Sequence, residues 1–217
     1  MVIAIDGPGG VGKSTVTRRL ATVLGLDFLD TGATYRAATV AALEAGADLT
    51  DEGEVLAAVV AREIEYVDGE ILLDGESIAD ETRSEGVTKA VSPVSAFPRV
   101  RSHVVQIQRD WVTARGGEAV VEGRDIGTVV FPDAPVKAFL TASAEVRAAR
   151  RAGDAEAANL EVSEIVADLN RRDHADSTRE TSPLRPAEDA VEIDTGAMDV
   201  EEVVAAIVGL VAKARSN

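Results

Sequence analysis

The chain has 217 residues, 46% hydrophobic and 28% charged, with no cysteine. That length can bury one full core, and the lack of cysteine excludes a disulfide framework and a thiolate metal site. A formal net charge of −16 argues against a long nucleic-acid polymer as partner, yet a local positive field could still hold a small phosphorylated ligand.

Val2 to Ile5 reads as a buried strand and Lys13 to Leu24 as a helix. Between them lies Gly7-Pro8-Gly9-Gly10-Val11-Gly12-Lys13-Ser14-Thr15, which fits G-x-x-x-x-G-K-[ST] in its strand, turn and helix setting. Glycine N–H groups can converge on a phosphate chain without side chains in the way, and the helix N-terminus adds partial positive charge. In that role Lys13 reaches the outer phosphates of a nucleoside triphosphate and the Ser14 hydroxyl ligates Mg²⁺. The alternative is a glycine turn in an unrelated α/β protein, and both spacing and context favour the phosphate loop.

A short strand follows at 27–29, then a helix over 33–43 and another over 51–60. Residues 63–67, 71–73 and 76–78 alternate apolar and polar, separated by Asp68-Gly69 and Asp74-Gly75, both hairpin signals. This antiparallel unit is either a surface hairpin or a substrate-gripping lobe. A helix over 83–95 ends near Ser92-Pro93, and Phe97-Pro98 opens a longer one to about Thr113. Strands follow at 119–121 and 136–140, a helix from Ala144, a small acidic loop at 152–160 and a helix over 163–172. Residues 173–188, with two prolines, read as loop; 191–194 is the last strand and 200–212 the closing helix. Strands separated by helices imply a three-layer α/β/α fold with a central parallel sheet. Nothing at the N-terminus reads as a secretion signal and no run approaches membrane-spanning length, which points to a cytoplasmic protein.

Ligands of open α/β sheets bind beyond the carboxyl ends of the strands. The phosphate loop, the stretch from Asp30 to Arg36 and the stretch from Glu122 to Gly127 all follow strands, so Arg36, Arg124 and Asp125 are expected to share a cleft with Lys13. Two arginines beside a phosphate loop suggest a second phosphorylated ligand; the alternative for each is a surface ion pair. Arg147, Arg150 and Arg151 share a helix face, and Arg171, Arg172 and Arg179 flank the polar loop. They either close over a transferring phosphoryl group or form a solvated, salt-bridged face. Glu122 ends an apolar strand, where an acid can organise Mg²⁺. His103 and His174 are too few for a histidine metal cluster, and Trp111 and Phe97 read as packing residues.

The strings IDGPGGVGKST at 5–15, FLDTGATYR at 28–36, SAFPRVR at 95–101, EGRDIGTVVFPDAPVKAFLTAS at 122–143 and NRRDHADSTRETSPLRPAEDA at 170–190 together resemble bacterial cytidylate kinases, nearly end to end. The resemblance implies Mg²⁺-dependent phosphoryl transfer from ATP to CMP or dCMP on a P-loop kinase fold. It implies one domain over 1–217, with a monophosphate-binding lobe at 63–95 and a helical lid at 144–172 carrying Arg147 and Arg151. It implies that Gly7 to Thr15 bind ATP and that Thr31, Arg101 and Asp125 hold the cytosine. Arg36, Arg124 and Arg179 would grip the monophosphate, with Lys13, Arg124 and Arg179 catalytic. Ser92, Arg172 and Asp176 would approach the sugar, and Tyr35 would line the acceptor site. Thr31 replaces a serine of some relatives and keeps the hydroxyl. The stretch 174–178 is less charged than in some relatives, although Arg172, Asp176 and Arg179 keep their places. A monomer with only small nucleotides as partners is the accompanying expectation. A kinase of another small acceptor, or a nucleotide-binding switch, are the rival readings; the first leaves Arg101 and Asp125 together unexplained, and the chain has no N-K-x-D string for the second.

Overall fold

The computed structural model describes residues 1–152 and 161–216. Beyond Ala152, the loop expected at 152–160 lies outside the described residues, as does that part of the expected lid.

The element order is β1 (Val2–Asp6), α1 (Lys13–Leu24), β2 (Asp27–Asp30), α2 (Thr31–Glu44), α3 (Glu52–Val60), β3 (Ile64–Val67), β4 (Glu70–Leu73), β5 (Glu76–Ser77), α4 (Glu85–Ala96), α5 (Pro98–Ala114), β6 (Ala119–Gly123), β7 (Val136–Thr141), α6 (Ala144–Arg151), α7 (Val162–Thr178), β8 (Val191–Asp194) and α8 (Val200–Ser216). A five-stranded sheet runs in the order β2-β6-β1-β7-β8, and helices flank it. β1 pairs with β6 and β7, and β7 with β8, all parallel. Every residue of β6 is buried, as expected of a parallel strand covered on both faces.

The chain forms two compact units: Met1–Phe28 with Gly117–Asn217, and Leu29–Gly116. The core of the first is built from Ile3, Ile5, Val120, Val136, Ala138 and Leu140 of the sheet, packed by Val16 and Leu20 of α1 and by Val203, Val204 and Ile207 of α8. A smaller cluster joins Ala148 of α6 to Ile165 and Leu169 of α7. The second unit holds the antiparallel sheet β3-β4-β5. At its turns Asp68, Gly69, Asp74 and Gly75 all have positive φ, the geometry that makes Asp-Gly a hairpin signal.

Three boundaries and one added turn depart from the sequence reading. α2 starts at Thr31, because the Asp30 carboxylate accepts from Ala33 N at 3.3 Å and caps the helix. α4 runs through Pro93 to Ala96; Pro93 and Lys89 are both exposed, so the carbonyl that loses its donor lies at the solvent side. α7 continues to Thr178 where a loop was expected from 173. Its first proline comes only at Pro183, and a capping box of Glu161 and Glu164 starts it firmly. Finally, a single π-helical turn at Ile126–Val130 follows β6, in a stretch with no sequence signal for it.

Candidate active site

The phosphate loop is fixed by contacts that only glycine permits. Gly7 has φ 150°, and a Cβ there would fall 2.3 Å from Leu140 O. Gly10 and Gly12 also have positive φ, and Gly12 begins α1 in the left-handed conformation. Lys13 is buried, and its Nζ donates to Gly7 O at 2.8 Å and Pro8 O at 2.7 Å. Ser14 and Thr15 stay exposed on the first turn of α1.

Several later residues grip the loop from outside. Arg147 donates to Gly9 O at 3.1 Å and pairs with Asp173 at 2.5 Å. Only 6% of Arg147 is exposed, so a solvated helix face does not describe it. Arg150 donates to Val11 O at 3.2 Å and to Thr195 Oγ1 at 2.9 Å and O at 2.6 Å. Thr195 Oγ1 also lies 3.1 Å from Val11 O. The sequence placed Arg150 only on a shared face, and nothing local marks Thr195 as a partner of the loop.

Arg124, Asp176 and Arg179 come together in the first unit, although 55 positions separate the outer two. Arg124 Nε donates to Asp176 Oδ2 at 3.0 Å, and Arg179 Nη1 lies 3.7 Å from Asp176 Oδ1. A Cβ on Gly9 would lie 3.8 Å from Arg124 Nη2, which places this guanidinium beside the phosphate loop. Arg124 does make an ion pair, but with another predicted site residue. Arg172 pairs with Asp168 at 3.2 Å within α7. Arg151 sits half-buried at the end of α6.

Asp125 is 4% exposed and opens the π-turn, its carbonyl accepting from Val129 N at 2.9 Å and Val130 N at 3.1 Å. Asp6, unremarked in the sequence, closes the turn from β1. Its two carboxylate oxygens accept from Ile126 N and Gly127 N, each at 2.8 Å. Burial pushes Asp6 up to about 6, against the pull of those two N–H bonds; the Asp125 carboxylate raises it further and Lys13 lowers it.

In the second unit Thr31, Tyr35 and Arg101 are all buried. The Arg101 guanidinium stacks over the Tyr35 ring at 5.0 Å and donates to Ser95 O at 3.1 Å. Ser95 Oγ donates to Ser92 O at 3.0 Å, tying Ser92 to the same cluster. A relay from α5 steadies Thr31: Gln108 Nε2 donates to Thr34 Oγ1 at 2.9 Å, which donates to Thr31 O at 2.8 Å. Gln108 is fully buried on a helix face it shares with Arg101, Val104, Val105 and Val112, and a polar residue at that spacing was the signal available in the sequence. Arg36 is exposed and in no ion pair among the described residues. Trp111 packs as expected, its Nε1 donating to Tyr66 O at 2.6 Å.

A family model described as cytidylate kinase matches residues 3–213. The chain belongs to the cytidylate kinase family. It is 48% identical over 223 residues to a cytidylate kinase of Rhodococcus opacus, covering 100% of this chain and 96% of that one. It is 51% identical over 212 residues to one of Nocardia farcinica, covering 94% and 90%. A solved structure of an uncharacterized protein from Eubacterium ventriosum covers 98% of both chains with a TM-score of 0.54 at 13% identity, a likeness of fold alone.

No group of three or more Asp, Glu or His among the described residues could hold a metal by itself. The two oxygens expected to take part are the exposed Ser14 hydroxyl and the carboxylate of the buried Glu122 in β6. So sparse a set fits Mg²⁺, which keeps several waters and takes one or two protein ligands beside substrate phosphates. No helix of the described residues is long and apolar enough to cross a membrane.

Proposed function

We propose that this protein transfers the γ-phosphoryl group of ATP to CMP or dCMP, giving ADP and CDP or dCDP. Membership of the cytidylate kinase family supports the reaction class. The observation that carries the chemistry is the Arg124–Asp176–Arg179 cluster beside Gly9 of the phosphate loop. Two guanidiniums joined through one carboxylate can turn to a phosphate when it arrives, because a dianion competes well for a bidentate partner.

In this reading Gly7 to Thr15 wrap the ATP phosphates, and Lys13 moves its ammonium from the Gly7 and Pro8 carbonyls to the β- and γ-oxygens. The Ser14 hydroxyl and Glu122 would hold Mg²⁺, which would supply charge neutralisation on those phosphates. Arg36, Arg124 and Arg179 hold the acceptor phosphate. That group is already an anion, so no strong general base is needed for in-line attack. Arg101 donates to the cytosine ring acceptors, Asp125 accepts from its exocyclic amine, and the Thr31 hydroxyl completes the set. Uracil would set a carbonyl against the Asp125 carboxylate, acceptor to acceptor, which disfavours it. Tyr35 backs Arg101, while Ser92, Arg172 and Asp176 approach the sugar. Residues 63–95 form the monophosphate-binding lobe and residues 144–172 the lid. Arg147 and Arg151 belong to that lid, and Arg147 reports its position to Gly9. The enzyme works as a cytoplasmic monomer on small nucleotides, without a nucleic-acid polymer.

An assay of ADP release with ATP, Mg²⁺ and a panel of CMP, dCMP, UMP and AMP tests this. Acceleration by CMP and dCMP with little by UMP is the expected result. ADP release unaffected by any acceptor would instead make the protein a slow hydrolase or switch.

A further inference from the structure

We propose that Asp6 is a positioning residue for acceptor recognition: its carboxylate, through Ile126 N and Gly127 N, fixes the turn that presents Arg124 and Asp125. The inference rests on the cytidylate kinase reading above and adds a residue to it. Three observations support it. The first is the geometry, two N–H groups on one carboxylate at 2.8 Å each, reaching from residue 6 to residues 126 and 127. The second is the turn. A single π-helical turn leaves its first N–H groups without helical partners, and Asp6 supplies the acceptors for the two that directly follow Asp125. The third is fit. A Cβ on Gly127 would lie 3.0 Å from Lys137 Cδ and 3.4 Å from Asp6 Oδ2, so the turn lies pressed against both side chains.

Asp6 is therefore a buried charge whose hydrogen bonds come from two backbone N–H groups. Asp125 on the turn and Lys13 of α1 act on it electrostatically. Lys137 of β7 packs across Gly127, but its ammonium is engaged by Pro132 O and by Asp189 at 2.8 Å. Glu122 of β6 pairs in register with Ile5, so it projects to the other face of the sheet from Asp6. When Asp6 takes up a proton, one oxygen becomes a donor facing an N–H, and one of the two bonds is lost. The turn, and Asp125 with it, then loses its fixed position. Asn at this site imitates that state at every pH, since its amide offers one acceptor and one donor.

The test compares Asp6→Asn with wild type in the full chain. KM for ATP, CMP and UMP is measured from about pH 5 to about pH 8, with thermal melts to confirm folding. At the alkaline end the variant is expected to raise KM for CMP about tenfold and to lower CMP-over-UMP preference by a similar factor, with KM for ATP changed less than about threefold. The variant-to-wild-type ratio of KM for CMP should shrink toward one as pH falls through about 6. The CMP phosphate titrates in the same range, near 6, but identically for both proteins, so it drops out of the ratio. A ratio near one at alkaline pH overturns the inference, and so does a raised ratio that does not move with pH, which is what a merely structural defect would give. If Asp6→Asn does not fold, Gly127→Ala takes its place: it displaces the same turn and should raise KM for CMP while sparing ATP. Equal damage to both substrates, or to neither, would count against Asp6. Wild-type enzyme that phosphorylates CMP beside an unaffected Asp6→Asn removes this inference alone; wild-type enzyme indifferent to CMP removes the reading beneath it.

Discussion

The phosphate loop and the Thr31–Tyr35–Arg101 cluster handle polarity in opposite ways. The loop is backbone: its shape depends on glycines at positive φ, and charge comes to it from Lys13 and from arginines that hold its carbonyls. The cluster is side chain: buried hydroxyls, a guanidinium stacked on a ring, and a glutamine relay on α5. A backbone cradle binds any phosphate chain and carries no information about the base. A buried set of side-chain donors and acceptors is costly to leave unmatched, and that cost is what discriminates one base from another. Rate should therefore depend mainly on the first region and selectivity on the second, with Asp125 aligned to selectivity although it follows β6.

The largest expected effect breaks the comparison on the selectivity side. Asp125→Ala should reduce CMP-over-UMP preference by about 10³ or more, because in the proposed reading its carboxylate is the group that tells amine from carbonyl. Competition assays with the two nucleotides check this, and ATP binding should be nearly unchanged. Lys13→Ala should lower kcat by on the order of 10³ for every acceptor while leaving their ranking intact, as seen in single-turnover measurements.

Stability against pH tests the buried Asp6 beneath the turn at Ile126–Val130. Asp6 is raised from 3.8 to about 6, so the folded state binds its proton more tightly than the unfolded chain does. Its contribution is fully present below about 4 and is lost as pH rises through about 6, a cost on the order of 3 kcal/mol at neutral pH. Wild type should thus lose stability relative to Asp6→Asn between those values in denaturant titrations at matched pH. A difference that grows in the opposite direction would contradict the burial argument.

Smaller effects follow. Gln108→Leu leaves Thr34 without its donor inside the second unit. It should cost about 1–2 kcal/mol in chemical denaturation and a several-fold rise in KM for CMP. Arg19→Ala removes an exposed ion pair with Glu201 at 2.7 Å and should leave melting temperature and kinetics unchanged within error.

What the sequence revealed follows from how local each feature is. The phosphate loop, the Asp-Gly hairpins and the parallel strands are written in contiguous residues, and each appears where it was read. The convergence of Arg124 with Asp176 and Arg179 came from family resemblance, since no local pattern links residue 124 to residue 176. Asp6, Gln108, Arg150 and Thr195 were not singled out for these roles because their partners lie far along the chain or in backbone groups. Asp6 lies just past the strand read over Val2 to Ile5, and the structure adds it to that strand. The extension of α7 to Thr178 was hidden by polar residues that resemble a loop, although Thr178 Oγ1 closes the last turn on His174 O at 2.7 Å.

The most direct test of the division between rate and selectivity is kcat/KM for CMP and for UMP in wild type, Lys13→Ala and Asp125→Ala. The account predicts that Lys13→Ala lowers both values by the same factor, and that Asp125→Ala brings the two values together. A changed ratio in Lys13→Ala, or an undiminished ratio in Asp125→Ala, would contradict it.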